Sequence, residues 1–308
     1  MHPDKNGPAT VGRPVVAAIG GSDPSGGAGI QADLKTIHAL GGYAVTLITS
    51  VTAQTTGSVR AVEHLPAAIV RSQMEAIASD FDLSAVKTGM LGTGEIVETI
   101  VDLLSGLPAA EVRGRTGIEC TRPLLVVDPV LAATGGHPLL DAAGIDALRR
   151  RLLPLATVCT PNWEEAGVLS GIDVRSAGAA ERAAAALLEA GARAVVVTGG
   201  HAPGDECVDL LVTRSGSRAF ASPRLPLHPH GTGCAFAAAL ATALAAGSPL
   251  ESAVERAKAY VTRAIRSALP IARERPILDH SGAAPCDERA ERGDRAGCQG
   301  REVEGGQA

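Results

Sequence analysis

Short apolar runs alternate along most of the chain with longer stretches in which apolar residues recur at helical spacing. The runs predict strands at residues 14–19, 44–51, 85–88, 124–127, 157–159 and 194–198. The helical spacing predicts helices over residues 29–40, 66–79, 94–104, 141–152, 176–189 and 249–267. Because continuous apolar strands separated by helices are typical of a parallel sheet covered on both faces, the pattern predicts an α/β fold.

The remaining segments define the expected domain organisation. Residues 210–213 and 218–221 flank a polar turn and predict a hairpin at the sheet edge, away from the chemistry. Residues 105–121 lack periodicity and predict an exposed loop. We expect a flexible N-terminus over residues 1–13, one domain over 14–272, and a disordered polar tail over 273–308, where apolar residues become rare.

Composition narrows the classes of function. Aromatic residues make up 2% of the 308 residues and hydrophobic residues 45%, so the core is aliphatic and base stacking is not a main recognition device. The formal charge of −5, with no block of Lys and Arg, argues against a nucleic-acid partner. The longest strongly apolar run, residues 234–246, is shorter than the roughly 20 residues of a membrane span.

Cysteine usage and the first residues bear on the compartment. The six cysteines include no Cys-x-x-Cys pair, which is typical of a reducing compartment. The N-terminal residues show no basic segment leading into an apolar export signal. We therefore expect a cytoplasmic protein whose partners are small molecules rather than nucleic acid or membrane.

The most informative chemical signal is Gly231-Thr232-Gly233-Cys234, which is followed directly by an alanine-rich helical run. Free N–H groups at a helix start favour a phosphate group, and the glycines allow its close approach. The same field is expected to lower the pKa of the Cys234 thiol. This pattern predicts phosphoryl transfer, and the alternative is a small cysteine buried beneath a glycine-bearing helix start.

Polar residues also follow the ends of the predicted strands, where ligands bind in doubly wound sheets. A glycine-rich loop over residues 20–29 follows the first strand, and Asp33 in the next helix can turn its carboxylate into the pocket. The loop matches neither the dinucleotide fingerprint nor a P-loop. Gln54 can offer its amide to a heterocycle and Met90 can lie against a flat ring; alternatively, Gln54 caps a loop and Met90 fills the core.

Asn162 and Glu165 lie three residues apart at a predicted helix start and therefore fall on one face. An amide and a carboxylate in this arrangement can face a magnesium nucleotide, because Mg²⁺ prefers oxygen ligands and needs only one or two carboxylates. The same two residues are also the pattern of a helix capping box. The spacing alone is compatible with both interpretations.

Taken together, the segments resemble the hydroxymethylpyrimidine/phosphomethylpyrimidine kinase family over about residues 15–269. The residues that carry the resemblance are Gly-Ser-Asp-Pro-Ser-Gly-Gly-Ala-Gly-Ile-Gln-Ala-Asp-Leu-Lys-Thr (21–36), Thr-Ala-Gln (52–54), Gly-Met-Leu (89–91), Val-Asp-Pro-Val (127–130), Thr-Pro-Asn-x-x-Glu-Ala (160–166), Gly-Gly-His (199–201) and His-Gly-Thr-Gly-Cys (230–234). The first and last motifs are the most specific. The others are shared with pyridoxal kinases and the wider ribokinase-like group.

The resemblance implies a ribokinase-like α/β domain, usually a homodimer, that acts in thiamine synthesis. With Mg²⁺ and ATP, it would phosphorylate 4-amino-5-hydroxymethyl-2-methylpyrimidine and then the monophosphate to the diphosphate. Carried onto matching positions, the implied pyrimidine contacts are Gly21, Asp33, Gln54 and Met90, the Mg²⁺ residues Glu165 and Asp128, the nucleotide contacts Asn162, Thr198 and Gly200, and the anion hole Gly231 and Gly233. Cys234 takes the position at which related sugar kinases carry an aspartate base.

This chain departs from the family pattern at several nucleotide-facing positions. Thr198 stands where relatives commonly have lysine, Thr134 replaces a second lysine, and His228-Pro229 replaces Asn-Thr. More of the charge neutralisation then falls to Mg²⁺ and backbone amides. Two other functions stay open, namely a pyridoxal kinase and a pyrimidine-binding sensor that has lost phosphate transfer; the intact Gly-Thr-Gly-Cys and Asn-x-x-Glu motifs argue against the sensor.

Overall fold

The computed structural model describes residues 12–107, 123–202 and 204–281. In these residues the strands form one sheet of nine strands in the order β3-β2-β1-β4-β5-β6-β7-β8-β9. The strands are β1 (Val15–Ser22), β2 (Tyr43–Gln54), β3 (Val59–His64), β4 (Ala85–Thr88), β5 (Leu124–Val127), β6 (Val158–Cys159), β7 (Ala194–Val197), β8 (Glu206–Thr213) and β9 (Gly216–Pro223). The central strands β2, β1, β4, β5, β6 and β7 are parallel, while β3, β8 and β9 pair antiparallel at the two edges.

Helices cover both faces of this sheet. They are α1 (Gly29–Ala39), α2 (Ala67–Asp80), α3 (Gly94–Gly106), α4 (Ala142–Ala147), α5 (Trp163–Ser170), α6 (Ala177–Glu189), α7 (Thr232–Ala245) and α8 (Leu250–Arg266). Within the described residues, no helix combines the length and apolarity that crossing a membrane requires.

Helix α7 decides where the functional corner lies. Its residues from Ala235 to Ala245 are all buried, and most are alanine, so the helix packs closely against the sheet on one side and against α1 and α8 on the other. On the face of the sheet opposite to α7, the hydrophobic core is built mainly from branched aliphatic side chains of the strands and of α3 and α6. Because α7 is held on all sides, its first turn is fixed at the carboxyl ends of the parallel strands.

The α/β fold expected from the sequence is confirmed, with a mostly parallel central sheet covered on both faces, and the predicted strands and long helices occur within a few residues of their expected ends. Strand β3 was not predicted. The helix expected over residues 141–152 ends as α4 at Ala147 and continues as a π-helical turn over Leu148–Leu152. Most of the loop expected over residues 105–121 lies outside the described residues.

The ordered domain extends beyond the boundary at residue 272 that the composition suggested. Leu269 and Ile277 pair antiparallel, and Leu278 and His280 are buried. The hydroxyl of Tyr260 lies 3.0 Å from Nδ1 of His280, which ties the segment to α8. The boundary is therefore placed too early, because a few apolar residues in a polar segment are enough to dock it. Residues 1–11 and 282–308, with Cys286 and Cys298, lie outside the described residues.

Candidate functional site

A cavity of about 920 Å³ lies at the carboxyl ends of the parallel strands. Its wall contains every site residue expected from the sequence, contributed by the loops after the parallel strands and by the starts of α1, α5 and α7. These residues are Gly21, Asp33, Gln54, Met90, Asp128, Asn162, Glu165, Thr198, Gly200, Gly231, Gly233 and Cys234. Side chains up to about 210 residues apart in sequence thus share one space, because parallel strands end at a common edge.

The anion corner expected at residues 231–234 is the first turn of α7. Gly231 caps this helix with a φ of +86°, and a Cβ there would overlap the carbonyl oxygen of Gly27. Glycine is therefore required at this position for both its conformation and the close approach of the two loops. The first helical hydrogen bond runs from the N–H of Ala235 to the oxygen of Gly231, which leaves the preceding N–H groups free at the cavity.

The glycine-rich loop after β1 is organised by Asp23, which the sequence analysis did not single out. Its carboxylate accepts hydrogen bonds from the N–H groups of Ser25 and Ala28, both at 2.8 Å, and from Nε2 of His230 at 3.0 Å. Burial raises the pKa of Asp23, but hydrogen bonds from His230, Gln54 and Ser25 outweigh burial and hold the pKa well below its usual range. An ionised carboxylate thus joins this loop to the start of α7.

A buried cluster of charged side chains lies beneath the starts of α1 and α7. Nζ of Lys87, on β4, lies 2.9 and 3.0 Å from the two carboxylate oxygens of Asp33 on α1, and 3.6 Å from Oδ2 of Asp128 after β5. Burial raises the pKa of Asp33 to about 6, with Asp128 adding to the rise and Lys87 opposing it. Burial lowers the pKa of Lys87, but the surrounding acidic groups, Asp33 first, outweigh burial and hold it above the usual range.

Lys87 is the main residue of the site that the sequence analysis missed. It is 1% exposed and belongs to a four-residue strand whose other members are also buried. A lysine in the middle of a buried strand was itself a signal, because lysine is almost never fully buried unless it is paired.

The expected lowering of the Cys234 pKa is wrong. Burial raises the pKa of this thiol to about 12, Lys87 opposes the rise, and Asp128 and Asp33 add to it. The prediction from the helix field ignored the two carboxylates, which the fold brings next to the thiol. At neutral pH the group is therefore a thiol that can donate a hydrogen bond, rather than a thiolate.

Met90 lies beside the glycine-rich loop, with its side chain next to Gly21. Its sulfur would come within 2.8 Å of a Cβ at Gly21, so glycine leaves space for the methionine side chain. Gln54, at the end of β2, lies next to Asp23 and lines the same space. The two residues give this part of the wall one apolar thioether and one amide.

Asn162 and Glu165 form the capping box that the sequence allowed. The N–H of Glu165 donates to Oδ1 of Asn162, and the N–H of Asn162 donates to Oε2 of Glu165, both at 2.9 Å. Both residues nevertheless line the cavity. Burial, and then the charge of Asp128, raise the pKa of Glu165 to about 8. Capping and ligand binding are therefore compatible here, since one carboxylate oxygen serves the cap.

Thr198 and Gly200 lie at the far end of the cavity, where β7 leads into a short turn over Gly199–His201. The predicted hairpin is found at the sheet edge, but it is longer than expected and is not remote from the site. Cys207 and Asp209 of β8 and Ser222 of β9 line the same cavity. The placement away from the chemistry is therefore wrong, because β8 extends four residues earlier than its apolar run suggested.

The sequence of this chain is similar to those of known kinases. A family model described as phosphomethylpyrimidine kinase matches residues 23–278. A hydroxymethylpyrimidine/phosphomethylpyrimidine kinase of Streptomyces coelicolor is 42% identical over 271 residues, which cover 88% of this chain and 95% of that protein. The thiamine biosynthesis bifunctional protein ThiED of Geobacter sulfurreducens is also 42% identical; the match covers 87% of this chain and 52% of the relative, so the chain spans about half of its length.

Solved structures agree with the sequence comparison. The phosphomethylpyrimidine kinase of Clostridium difficile superposes with a TM-score of 0.70 at 36% identity, covering 82% of this chain and 100% of that chain. The pyridoxal kinase of Staphylococcus aureus, in complex with AMP-PCP and pyridoxal, superposes with a TM-score of 0.76 at 32% identity, covering 88% of this chain and 94% of that chain.

Proposed function

Because the chain belongs to the phosphomethylpyrimidine kinase family, we propose that it uses ATP to phosphorylate 4-amino-5-hydroxymethyl-2-methylpyrimidine and then the monophosphate. The observation that carries this proposal is the single cavity shared by the glycine-rich loop after β1 and the first turn of α7. One part has the apolar side chain of Met90 and the amide of Gln54 for a heterocycle, and the other has the N–H groups of the first turn of α7 for a phosphoryl group. A heterocyclic alcohol and a nucleotide can meet between them.

We place the pyrimidine ring against Met90, with Gln54 and Asp33 facing its polar edge. Met90 is 8% exposed and lines the cavity, and the absent side chain at Gly21 lets its thioether lie close to the glycine-rich loop, where it can contact the face of a planar ligand. The carboxylate of Asp33 is held by Lys87 and lines the cavity, so it can accept a hydrogen bond from the ring amino group. The hydroxymethyl group would then point towards Cys234.

We place the ATP phosphates between the start of α7 and the carboxylates of Asp128 and Glu165, with Asn162, Thr198 and Gly200 along the nucleotide. Among the described residues, no three acidic, histidine or cysteine side chains cluster tightly enough to hold a metal by themselves. Oδ2 of Asp128 is nevertheless buried, its nearest described partner is the Lys87 ammonium at 3.6 Å, beyond hydrogen-bond distance, and Glu165 lies near enough to feel its charge. This donor set fits Mg²⁺, which takes one or two carboxylates together with phosphate oxygens and would supply neutralisation of the phosphate charge.

In the proposed reaction, the hydroxymethyl oxygen attacks the γ-phosphorus while the bond from that phosphorus to the β-bridging oxygen breaks; ADP leaves with the electron pair, and the hydroxyl proton passes to an oxygen of the transferred phosphate. The protein's contribution is mainly positioning and stabilisation of charge. The N–H groups of Thr232, Gly233 and Cys234 face the migrating phosphoryl group, and the positive end of α7 reinforces them. Cys234, as a thiol, contacts the reacting oxygen and holds it in place.

The direct test is mass detection of products from purified protein incubated with Mg-ATP and the hydroxymethylpyrimidine. We expect the monophosphate to appear first and the diphosphate to follow. Absence of both products, with folded protein, would reject the proposal. Parallel assays with pyridoxal test the second candidate, which the TM-score of 0.76 to a pyridoxal kinase keeps in view; a higher kcat/KM for pyridoxal would favour it.

We also propose a cytoplasmic homodimer. Tyr43 and Val51 on β2, the strand next to edge strand β3, and Ile69 on α2 are each about half exposed, and a second copy can cover these large apolar side chains. Light scattering on the purified protein tests the dimer, and a monomer at micromolar concentration would contradict it. Fractionation of cells tests the compartment.

A further inference from the structure

A second buried ion pair lies in the cavity wall, at the end formed by β8 and α8. Nζ of Lys258, on α8, lies 2.9 Å from Oδ2 of Asp209, on β8, and the two side chains are 9% and 6% exposed. The ammonium also lies 3.8 Å from the sulfur of Cys207. All three residues line the cavity that contains Thr198 and Gly200.

The second oxygen of Asp209 is bound to the turn after β7. Oδ1 accepts a hydrogen bond of 2.8 Å from the N–H of Gly199. A Cβ at Gly199 would overlap the carbonyl of Val208, so the turn is pressed against β8. Arg224 also binds this turn and donates to the carbonyl oxygens of Gly199 and Gly200.

These contacts fix the direction of the peptide groups in the turn. Asp209 accepts from the N–H of Gly199, and Arg224 donates to the carbonyl oxygens of Gly199 and Gly200. At Gly200 a Cβ would meet nothing within 4 Å, so this residue faces open space in the cavity. The turn therefore presents backbone to a ligand in one orientation only.

A pair of this kind is a costly way to stabilise a fold. Burying two charges requires that both lose water, and replacement of such pairs by apolar residues is often neutral or stabilising. Here the pair joins the last long helix to a turn whose other face is open to the cavity. The position of the Lys258–Asp209 pair is explained if the pair holds the turn still for a ligand.

We infer that Asp209 and Lys258 are positioning residues for the nucleotide: Asp209 holds the Gly199–Gly200 turn against which the nucleotide lies, and Lys258 holds the Asp209 carboxylate in place. This inference rests on the nucleotide placement in the proposed function. It concerns how ATP is held, whereas the identity of the phosphate acceptor does not enter it.

The experiment uses two double variants that both remove the charges. In D209N/K258M, the asparagine oxygen can still accept from the N–H of Gly199. In D209L/K258M, that acceptor is lost. ADP binding is measured by calorimetry, and KM is measured separately for Mg-ATP and for the pyrimidine, with melting temperature recorded for each protein.

We expect D209N/K258M to bind ADP within about threefold of the unchanged protein, and D209L/K258M to bind it about tenfold more weakly, which corresponds to the loss of one hydrogen bond. The KM for Mg-ATP should rise in parallel, while the KM for the pyrimidine stays unchanged. R218Q serves as the control, because the exposed Arg218–Glu251 pair also joins the hairpin to α8 without touching the turn.

Equal ADP affinity in the two double variants would overturn the inference. So would a parallel rise of both KM values with a fall in melting temperature, since that result describes a purely structural pair. If D209L/K258M does not fold, D209N and K258M alone are compared, and unchanged ADP binding in K258M overturns the role of Lys258. ADP binding without any transfer to the pyrimidine would instead reject the proposed function and leave this inference standing.

Discussion

Nε2 of His230 donates a hydrogen bond of 3.0 Å to Oδ2 of Asp23, which joins two loops that lie 207 residues apart in the chain. One loop carries the glycines after β1, and the other leads into α7. Gly27 and Gly231 touch directly beside this bond, and a side chain on Gly231 would overlap the backbone of Gly27. The relative position of the proposed pyrimidine and phosphate sites therefore depends on a contact between two side chains and two glycines.

Asp23→Asn should weaken the protein most at neutral pH. The folded pKa of Asp23 lies below its unfolded value near 3.9, so its contribution is fully present above about pH 5 and is lost as the pH falls towards the folded pKa. We expect D23N to lose about 1–3 kcal/mol at pH 7 and to show a shallower acid-induced loss. Urea unfolding from pH 7 down to pH 3 measures both. Asp146→Asn, at an exposed position on α4, is the control, and the same pH slope in D23N and the unchanged protein would contradict the argument.

Gly231→Ala and Gly233→Ala should differ sharply. Alanine at 231 must adopt a positive φ and overlaps the oxygen of Gly27, whereas a Cβ at 233 meets nothing within 4 Å. We expect G231A to lower the melting temperature by several degrees and transfer by at least about a hundredfold, because one misplaced donor group costs this much in preorganised sites. G233A should keep its melting temperature. Thermal unfolding measures the melting temperatures of the two variants, and initial rates measure phosphate transfer. Similar stability of the two variants would exclude the predicted overlap.

Cys234→Ala should slow both phosphorylations by similar factors, about tenfold each. The raised pKa keeps the sulfur protonated, so the side chain positions the reacting oxygen rather than accepting its proton. Cys234→Ser, which keeps a donor of similar size, should recover most of the rate in both steps. Single-turnover assays with the alcohol and with its monophosphate separate the steps. A much larger loss in the first step would indicate a proton acceptor, because only the alcohol has to be deprotonated.

Lys87→Met should be strongly destabilising, since it leaves Asp33 and Asp128 buried without their cation. We expect a loss of about 3–5 kcal/mol in the free energy of unfolding. The double variant K87M/D33N removes one of the carboxylates as well and should recover part of this loss, while its KM for the pyrimidine stays high. Denaturant unfolding and steady-state kinetics test both statements. Stability of K87M within about 1 kcal/mol of the unchanged protein would show that the cluster is not needed for folding.

The central strands and long helices followed from the sequence because each carries its own local signal. Residues 124–127 are apolar at every position, and α7 is nearly continuous alanine and leucine. Strand β3 could not be predicted because most of its side chains are exposed. Its apolar residues are interrupted by Arg60 and Glu63, so no apolar run marks the strand. Its place is set by pairing with β2, which is a long-range property.

The candidate site likewise combines residues that a local sequence signal marks with residues that only the fold brings together. Glycine-rich turns and helix caps are recognisable from a few neighbouring residues, so the start of α7 and the Asn162–Glu165 capping box could be predicted. The charges on Lys87, Asp33 and Asp128 could not be assigned to one cluster, because three separate elements bring them together. The pKa of Cys234 depends on that cluster, and a prediction from its own helix alone had the wrong sign.

The position of α7 also bears on synthesis at the ribosome. This helix packs on β1, β4 and β5, yet it emerges after all the strands of the sheet have been made. A nascent chain that stops before residue 231 can assemble much of the sheet but lacks the turn proposed to receive phosphate. Ligand capture therefore has to await translation of α7, and chains stalled before it should gain no protection from ATP.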